Sequence, residues 1–355
     1  MKTKHWFMAI ATLAIAGCSQ NEIMEKKADA DKSIGFNVYT GVQTKGTETT
    51  NTTLESSATG GGNGFAVVAL IPKSGGSDYD VYMTPRHVTK NADGSWTYSD
   101  IAHWPVGGES LNFYSYAPYS DTFDGTNNAG GGIKTKPSST ELFSSTTPSI
   151  EFTIKSDWDK MVDLVAAKNE SVGPTDNAVS VAFSHVLTRI GFKAKTSADI
   201  GTGTTVKVKN LEIVGSSTNS SSCFYEKGTY NIKTDTWSDT KAKTSNYTIT
   251  FTDGVNVTSA GENLLGTDKY LFCIPVSNLS ENAIKVNITY EITSNSVTSQ
   301  KTQVASIPQS HFAKGTAYSY LFTITLKGIK FELGTMGSWG SPSDTNLTPV
   351  DLPNP

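Results

Sequence analysis

The longest regular pattern in the chain runs through Ile284, Val286, Ile288, Tyr290 and Ile292, with Lys285, Asn287, Thr289 and Glu291 between them. Strict alternation over this length predicts a strand with one buried and one wetted face. The same period of two recurs in Leu111 to Ala117, in Ile150, Phe152 and Ile154, in Val179, Val181 and Phe183, and in Val206 and Val208. A first strand is predicted from Ile34 to Tyr39, running on toward Gln43, with Ile34, Phe36 and Val38 on one face. Phe65 to Ile71 is unbroken apolar sequence, as expected of a strand buried on both faces. Asp93-Gly94 predicts a tight hairpin, and Asp253-Gly254 predicts a turn after Ile249 and Phe251. Tyr318 to Leu326 and Ile329 to Leu333 are further predicted strands. The stretch from Ser156 to Glu170 fits two states. Trp158, Met161, Val162 and Val165 have helical spacing behind a Ser156/Asp159 capping pattern, whereas Leu164-Val165-Ala166 fits a strand.

Between these runs lie two informative interruptions. Residues 44–64 are almost wholly Thr, Ser, Asn and Gly, with Leu54 the apolar exception, and end in Gly60-Gly61-Gly62. A connection of this length without structure of its own is characteristic of functional or mobile loops, and its composition favours proteolysis. Its one basic residue, Lys45, stands at its start. Gly173-Pro174, in a polar stretch between apolar runs, is the strongest candidate for a domain boundary. It divides the chain into an N-terminal β-sandwich domain at 34–175 and a C-terminal one, with an extension, at 176–355. Residues 341–355 are polar and Pro-rich, with Leu347, Val350 and Leu352 isolated among them.

The N-terminus has its own pattern. Lys2, Lys4 and His5 precede an apolar run from Trp6 to Ala16, too short to cross a bilayer and laid out like a secretory signal. Ile15-Ala16-Gly17-Cys18 resembles a bacterial lipobox. That resemblance implies a signal peptide at 1–17, cleavage before Cys18 and acylation of Cys18. An ordinary signal with a chance cysteine is the alternative, but the small residues and the cysteine sit together at the end of the apolar run. Ser19 to Ser33 is polar and aperiodic, so residues 18–33 read as a flexible tether. Fifteen extended residues reach at most about 50 Å.

Composition supports an all-β chain. Of 355 residues, 37% are hydrophobic and only 17% charged, with 31 glycines, unlike helices rich in Glu, Lys and Leu. The net charge of −4 leaves no basic footprint for nucleic acid. Besides Cys18 there are Cys223 and Cys273, an even pair in an oxidising compartment. A disulfide between them and two buried free thiols fit their apolar surroundings equally well.

Recognisable chemistry is missing. His87, His103, His185 and His311 show no metal-ligand spacing, and no metal or other cofactor is expected. No nucleophile elbow, phosphate loop or dinucleotide fingerprint occurs. His185, within a strand pattern, reads as a structural histidine. Asp121/Asp124 and Asp157/Asp159 read as turn residues. Trp96, Trp104 and Trp237 are candidates for a sugar-stacking platform, although aromatic residues in strands more often form core. These aromatics motivate one alternative reading, a surface glycan-binding lipoprotein of a nutrient-uptake system.

Several segments together resemble the fimbrillin family, the surface lipoproteins that build type V pili of Gram-negative bacteria. They are His103-Trp104-Pro105, the run Leu111-Asn112-Phe113-Tyr114-Ser115-Tyr116-Ala117-Pro118, Asp163-Leu164-Val165-Ala166-Ala167, Phe183-Ser184-His185-Val186-Leu187, Tyr270 to Pro275, and Ile329-Lys330-Phe331 with Trp339. The resemblance spans nearly the whole chain. It implies two transthyretin-like β-sandwich domains in tandem, no enzymatic activity, and a place on the outer membrane and then in a fimbrium. It further implies that a trypsin-like protease cuts between Lys45 and Gly46, with Lys45 where many members have Arg. The first strand, carrying Ile34, Phe36 and Val38, then leaves, and a strand from another subunit takes its place. The donor candidates are Ile329, Phe331, Leu333, Leu347, Val350 and Leu352. Partners implied are other fimbrial subunits in a homo- or hetero-polymer, the outer membrane through lipid, and a surface receptor. Pro342, Pro349 and Pro353 cannot donate ladder bonds, which keeps a tip or accessory subunit open beside a stalk subunit.

Overall fold

The computed structural model describes residues 32–40 and 64–338, apart from 76–77, 120–131, 135–142, 144–145, 156, 216–223, 243–245, 267–268, 278, 280–283 and 309–310. The elements named there are strands and a single turn of 3-10 helix at Trp158–Lys160. The all-β expectation is met.

In chain order the strands begin with β1 (Phe36–Thr40), β2 (Phe65–Pro72), β3 (Tyr79–Lys90) and β4 (Trp96–Thr97). They continue with β5 (Leu111–Ala117), β6 (Gly132–Lys134), β7 (Ser149–Thr153), β8 (Val165–Val172), β9 (Val179–His185) and β10 (Thr188–Thr196). Next come β11 (Thr204–Gly215), β12 (Tyr225–Asn231), β13 (Thr236–Ala242), β14 (Tyr247–Val257) and β15 (Glu262–Asn263). The last are β16 (Leu271–Cys273), β17 (Ile284–Ser294), β18 (Val297–Ser306), β19 (Thr316–Ile324) and β20 (Ile329–Ser338).

A seven-stranded sheet has the order β1-β9-β8-β5-β2-β3-β4. Its side chains feed two cores. Phe65, Val67 and Ala69 of β2 join one with Ile34, Phe36, Trp104, Phe113 and Val181. The intervening Ala66, Val68 and Leu70 join a second core, which extends through the rest of the molecule to Phe331. This explains the unbroken apolar sequence of β2, since neither face meets water. The remaining sheets have the orders β14-β11-β17-β18, β13-β12-β7-β6, and β15-β10-β19-β20 with β16 also on β10. In β17 the strict alternation of the sequence becomes alternate burial, with Ile284, Val286, Ile288 and Tyr290 inside.

Two expectations resolve differently. Asp253-Gly254 does not reverse the chain. β14 continues past it, and on the partner β11 the pairing steps from Val208 opposite Val255 to Asn210 opposite Thr250, so the extra residues form a bulge. Gly254 has φ of +70°, a left-handed conformation that glycine adopts freely. The Ser156–Glu170 ambiguity splits. Trp158–Lys160 forms the 3-10 turn, and the strand alternative holds from Val165 onward. Gly173-Pro174, the expected boundary, lies between β8 and β9, which share one sheet. Gly-Pro chemistry marks a change of direction and is equally suited to a connection within a domain. The chain crosses into the later sheets at Val186-Leu187, and β7, from before residue 175, pairs with β12.

The edges are handled unequally. β18 is an exposed outer strand, but Lys301 stands directly opposite the buried Tyr290, on the core-facing side, and its ammonium donates to the Leu326 carbonyl at 3.2 Å. An inward-facing charge of this kind discourages a further strand from adding.

Gly64, where the described chain resumes before β2, has φ of +78°, and a Cβ there would lie 1.9 Å from the Val88 carbonyl oxygen. Gly64→Ala should lower stability by at least about 1–3 kcal/mol, the usual cost of a strained backbone residue, read as a lower denaturant midpoint. An unchanged midpoint would show that β2 does not need this close approach to β3.

Candidate functional site: the seat of the first strand

β1 is short, yet it is held from two sides. Along one side it runs parallel to β9, with Phe36 opposite Val179, Val38 opposite Val181 and Thr40 opposite Phe183. The Val179 amide donates to the Gly35 carbonyl at 2.8 Å. On the other side, the residues leading into β1 meet a strap that follows β4. The Ile34 amide donates to the Ala102 carbonyl at 2.8 Å, and the Trp104 amide donates to the Lys32 carbonyl at 2.9 Å. An antiparallel bridge joins Ser33 to His103. Because β1 and β4 are opposite ends of one sheet, these contacts bring the two ends together with β1 at the seam.

Tyr98 is the centre of the strap. Its hydroxyl donates to the Ile34 carbonyl at 2.7 Å and accepts from the Ala102 amide at 3.3 Å. Burial pushes this hydroxyl above the ordinary tyrosine range, which keeps it protonated as a donor. The strap is braced from β3, where the Tyr82 hydroxyl donates to the His103 carbonyl at 2.6 Å.

The side chains fill a hole made of rings. Ile34 and Phe36 are buried, and Val38 packs partly buried beside them. The Phe36 ring lies edge-on to Phe65 (6.1 Å, 89°) and Phe113 (5.6 Å, 83°), and 5.6 Å from Tyr98. Phe65 in turn meets Trp96 and Phe183, and Phe113 meets Trp104. Edge-to-face pairs at these separations add to the gain from burial.

β9 leans on β1 more than on its other neighbour. Toward β8 the ladder holds only Val165 opposite His185 and Ala166 opposite Ser184. Beyond that fork the Asn169 side-chain amide donates to the Ser180 carbonyl at 2.9 Å. At the closed end the fully buried Asp163 meets His185 Nδ1 at 2.8 Å. Two of the sequence segments, Asp163 to Ala167 and Phe183 to Leu187, are thus joined where β9 passes into the later sheets. His185 is paired with a buried carboxylate inside the fold.

A cavity of about 410 Å³ opens beside this fork, lined among others by Ala166, Ser184, His185, Tyr230, Asp235 and Lys314. Its polar groups are turned on one another, with the Tyr230 hydroxyl donating to Asp235 and Lys314 paired with the same carboxylate.

Other expected site residues are dispersed. Ile329, Phe331 and Leu333 lie in β20, paired with Ile324, Phe322 and Tyr320 of β19. Trp104 is buried, Trp96 packs on Phe65, and the Trp237 indole donates to the Val186 carbonyl at 3.0 Å, so all three are tied into the fold. Cys273 is a buried free thiol, and burial pushes its ionisation up. Cys18, Lys45, Gly46, Cys223, Leu347, Val350 and Leu352 lie outside the described residues. Among the described residues no group of three or more His, Cys, Asp and Glu is placed to hold a metal ion. The sequence pointed to Ile34, Phe36 and Val38 but not to Tyr98, Phe65 or Phe113, whose convergence depends on the sheet closing on itself.

Residues 44–339 match the fimbrillin-like family. The chain belongs to that family. It is 31% identical to fimbrium subunit Fim1C of Phocaeicola vulgatus, over 98% of this chain and 99% of that one. A fimbrial protein of Bacteroides vulgatus, known from its crystal structure, superposes with a TM-score of 0.68 at 25% identity, over 87% of this chain and all of the other. Within this fimbrillin-like fold, β1 is the element attached on both sides at an edge of the first sheet.

Phe36→Ala should cost about 3–5 kcal/mol, the range for emptying a buried aromatic site, and Tyr98→Phe about 1 kcal/mol for one lost hydrogen bond. Chemical denaturation of each variant checks both. A negligible effect of Phe36→Ala would mean that the seat collapses freely without its ring.

Proposed function

We propose that this chain is a structural and adhesive subunit of a cell-surface fimbria. It is exported as a lipoprotein anchored through Cys18, cut between Lys45 and Gly46, and assembled by exchanging β1 for a strand of a neighbouring subunit. The observation that carries this reading is the seat itself. A strand of five residues closes an apolar hole lined by rings, and its only continuation into the rest of the fold is the long connection of residues 41–63.

A cut in that connection leaves β1 held by non-covalent contacts alone. Burial of Ile34, Phe36 and Val38 is worth roughly 1.5–3 kcal/mol for each fully buried side chain, with modest additions from main-chain bonds. That is enough to keep the strand in place, but not to resist an incoming strand presented at high local concentration. An empty seat exposes an apolar slot and unpaired amides and carbonyls of β9, both unfavourable in water. A strand from a neighbour restores both by edge addition. Membership of the fimbrillin-like family and the likeness to a fimbrium subunit support the same reading. The outer membrane is the first location and the fimbrium the second.

Of the donor candidates, Ile329, Phe331 and Leu333 already serve this chain's own sheet through β20. Leu347, Val350 and Leu352 are the remaining ones.

Two measurements test the reading. Membrane fractions of the producing cells should yield a chain beginning at acylated Cys18, and sheared fimbriae a chain beginning at Gly46, by N-terminal sequencing and mass spectrometry. Fibres built from chains that still carry Ile34–Thr40 would overturn it. Cys18→Ala should abolish incorporation of labelled fatty acid and release the protein from the membrane fraction. A labelled, membrane-bound alanine variant would remove the anchor from the account.

A further inference from the structure

The seat fixes more than the presence of a strand. Its strap contacts are made to main-chain atoms at Lys32 and Ile34, and those bonds form with any extended segment. Side-chain selection falls on the hole that Phe36 fills. This hole is bounded by Phe65, Tyr98 and Phe113 and flanked by the places of Ile34 and Val38. An occupant therefore needs an aromatic side chain with an aliphatic one two residues to either side.

Apart from Ile34-Gly35-Phe36-Asn37-Val38, that pattern recurs at Ile150-Glu151-Phe152-Thr153-Ile154, at Ile288-Thr289-Tyr290-Glu291-Ile292 and at Ile329-Lys330-Phe331-Glu332-Leu333. All three copies are committed. Tyr290 is buried in β17, which pairs on both sides with β11 and β18. Phe152 is buried in β7, which pairs on both sides with β6 and β12. Phe331 is buried in β20, its ring 4.7 Å from Phe322 and 5.4 Å from Tyr320. Residues 341–355, which hold Leu347, Val350 and Leu352, contain no aromatic residue, and Leu347 is out of step with Val350 and Leu352 for a two-residue period.

Resting on the strand-exchange reading above, we infer that the seat selects an aromatic side chain and takes its replacement strand from a non-identical subunit carrying that pattern. It does not take residues 341–355 of a second copy of this chain. A partner without the ring leaves a cavity where Phe36 sat, and the surrounding rings, anchored in two different strands and the strap, cannot close over it without loss.

The test uses the full chain with a site-specific protease sequence inserted within residues 47–60, so that it does not depend on cleavage at Lys45. After nicking, the protein is unfolded and refolded with an excess of a labelled peptide, and capture is read by co-elution and fluorescence anisotropy. The peptides are residues 32–43, the same peptide with Phe36→Ala, and residues 341–355. The first should be captured. The second should bind at least about 100-fold more weakly, as emptying a buried aromatic site implies, and the third no better than the second. Tyr98→Phe in the nicked chain should weaken capture of the first two peptides by a similar factor, up to about tenfold, because its bond is to main chain. Capture of the alanine peptide or of residues 341–355 as tight as the first would overturn aromatic selection while leaving strand exchange intact. Failure to capture even residues 32–43 would overturn strand exchange, and this inference with it.

Discussion

The structure depends on how a sheet with two ends is closed. In the seven-stranded sheet the ends are β1 and β4, and without a seam between them each would show an unpaired edge above an apolar core. β1 closes the seam by a parallel ladder to β9 and by main-chain bonds to the Ala102–Trp104 strap. The Tyr98 hydroxyl ties the two sides at one atom, the Ile34 carbonyl oxygen. Most of the first core is arranged around this closure, with Phe36 touching rings from β2, β5 and the strap. The strand at this place closes the first core.

The outer strand of another sheet is treated differently. β18 is also an outer strand, but Lys301 stands on the same face as the buried Tyr290 opposite it and spends its donor on the Leu326 carbonyl. That edge is defended against additions. At the seat, by contrast, the hole is apolar, the main-chain groups are aligned, and the polar atoms that face the occupant are fixed donors and acceptors of the strap. One edge of the molecule is built to refuse a strand and another to hold one.

Much of this was legible in the sequence wherever burial alone sets the pattern. The alternation through Ile284–Ile292, the unbroken run Phe65–Ile71 and the Asp93-Gly94 hairpin each map onto β17, β2 and the β3–β4 connection. Legibility failed where a residue's role depends on long-range pairing. Asp253-Gly254 has the chemistry of a turn, and only the register of β11 shows that it is a bulge. Gly173-Pro174 has the chemistry of a linker, and only the pairing of Val165 with His185 shows that it joins strands of one sheet. The seat was half visible. Ile34, Phe36 and Val38 mark themselves by alternation, while Tyr98 is one tyrosine among 14 until the sheet closes and places its hydroxyl beside Ile34. Trp104, which drew attention as a sugar platform, is instead a buried wall of the same site.

The direction of β1 has one more consequence. It lies parallel to β9, so its amides and carbonyls meet the partner strand with a slanted, one-way spacing. Any segment that makes the same bonds must enter pointing the same way. An assembly joined through such seats, as proposed above, would repeat one orientation from link to link, and its two tips would be chemically different: one would present an open slot and the other a free strand. Under the proposed strand exchange, growth and attachment at the two tips would be separate events, decided by the heading of five residues.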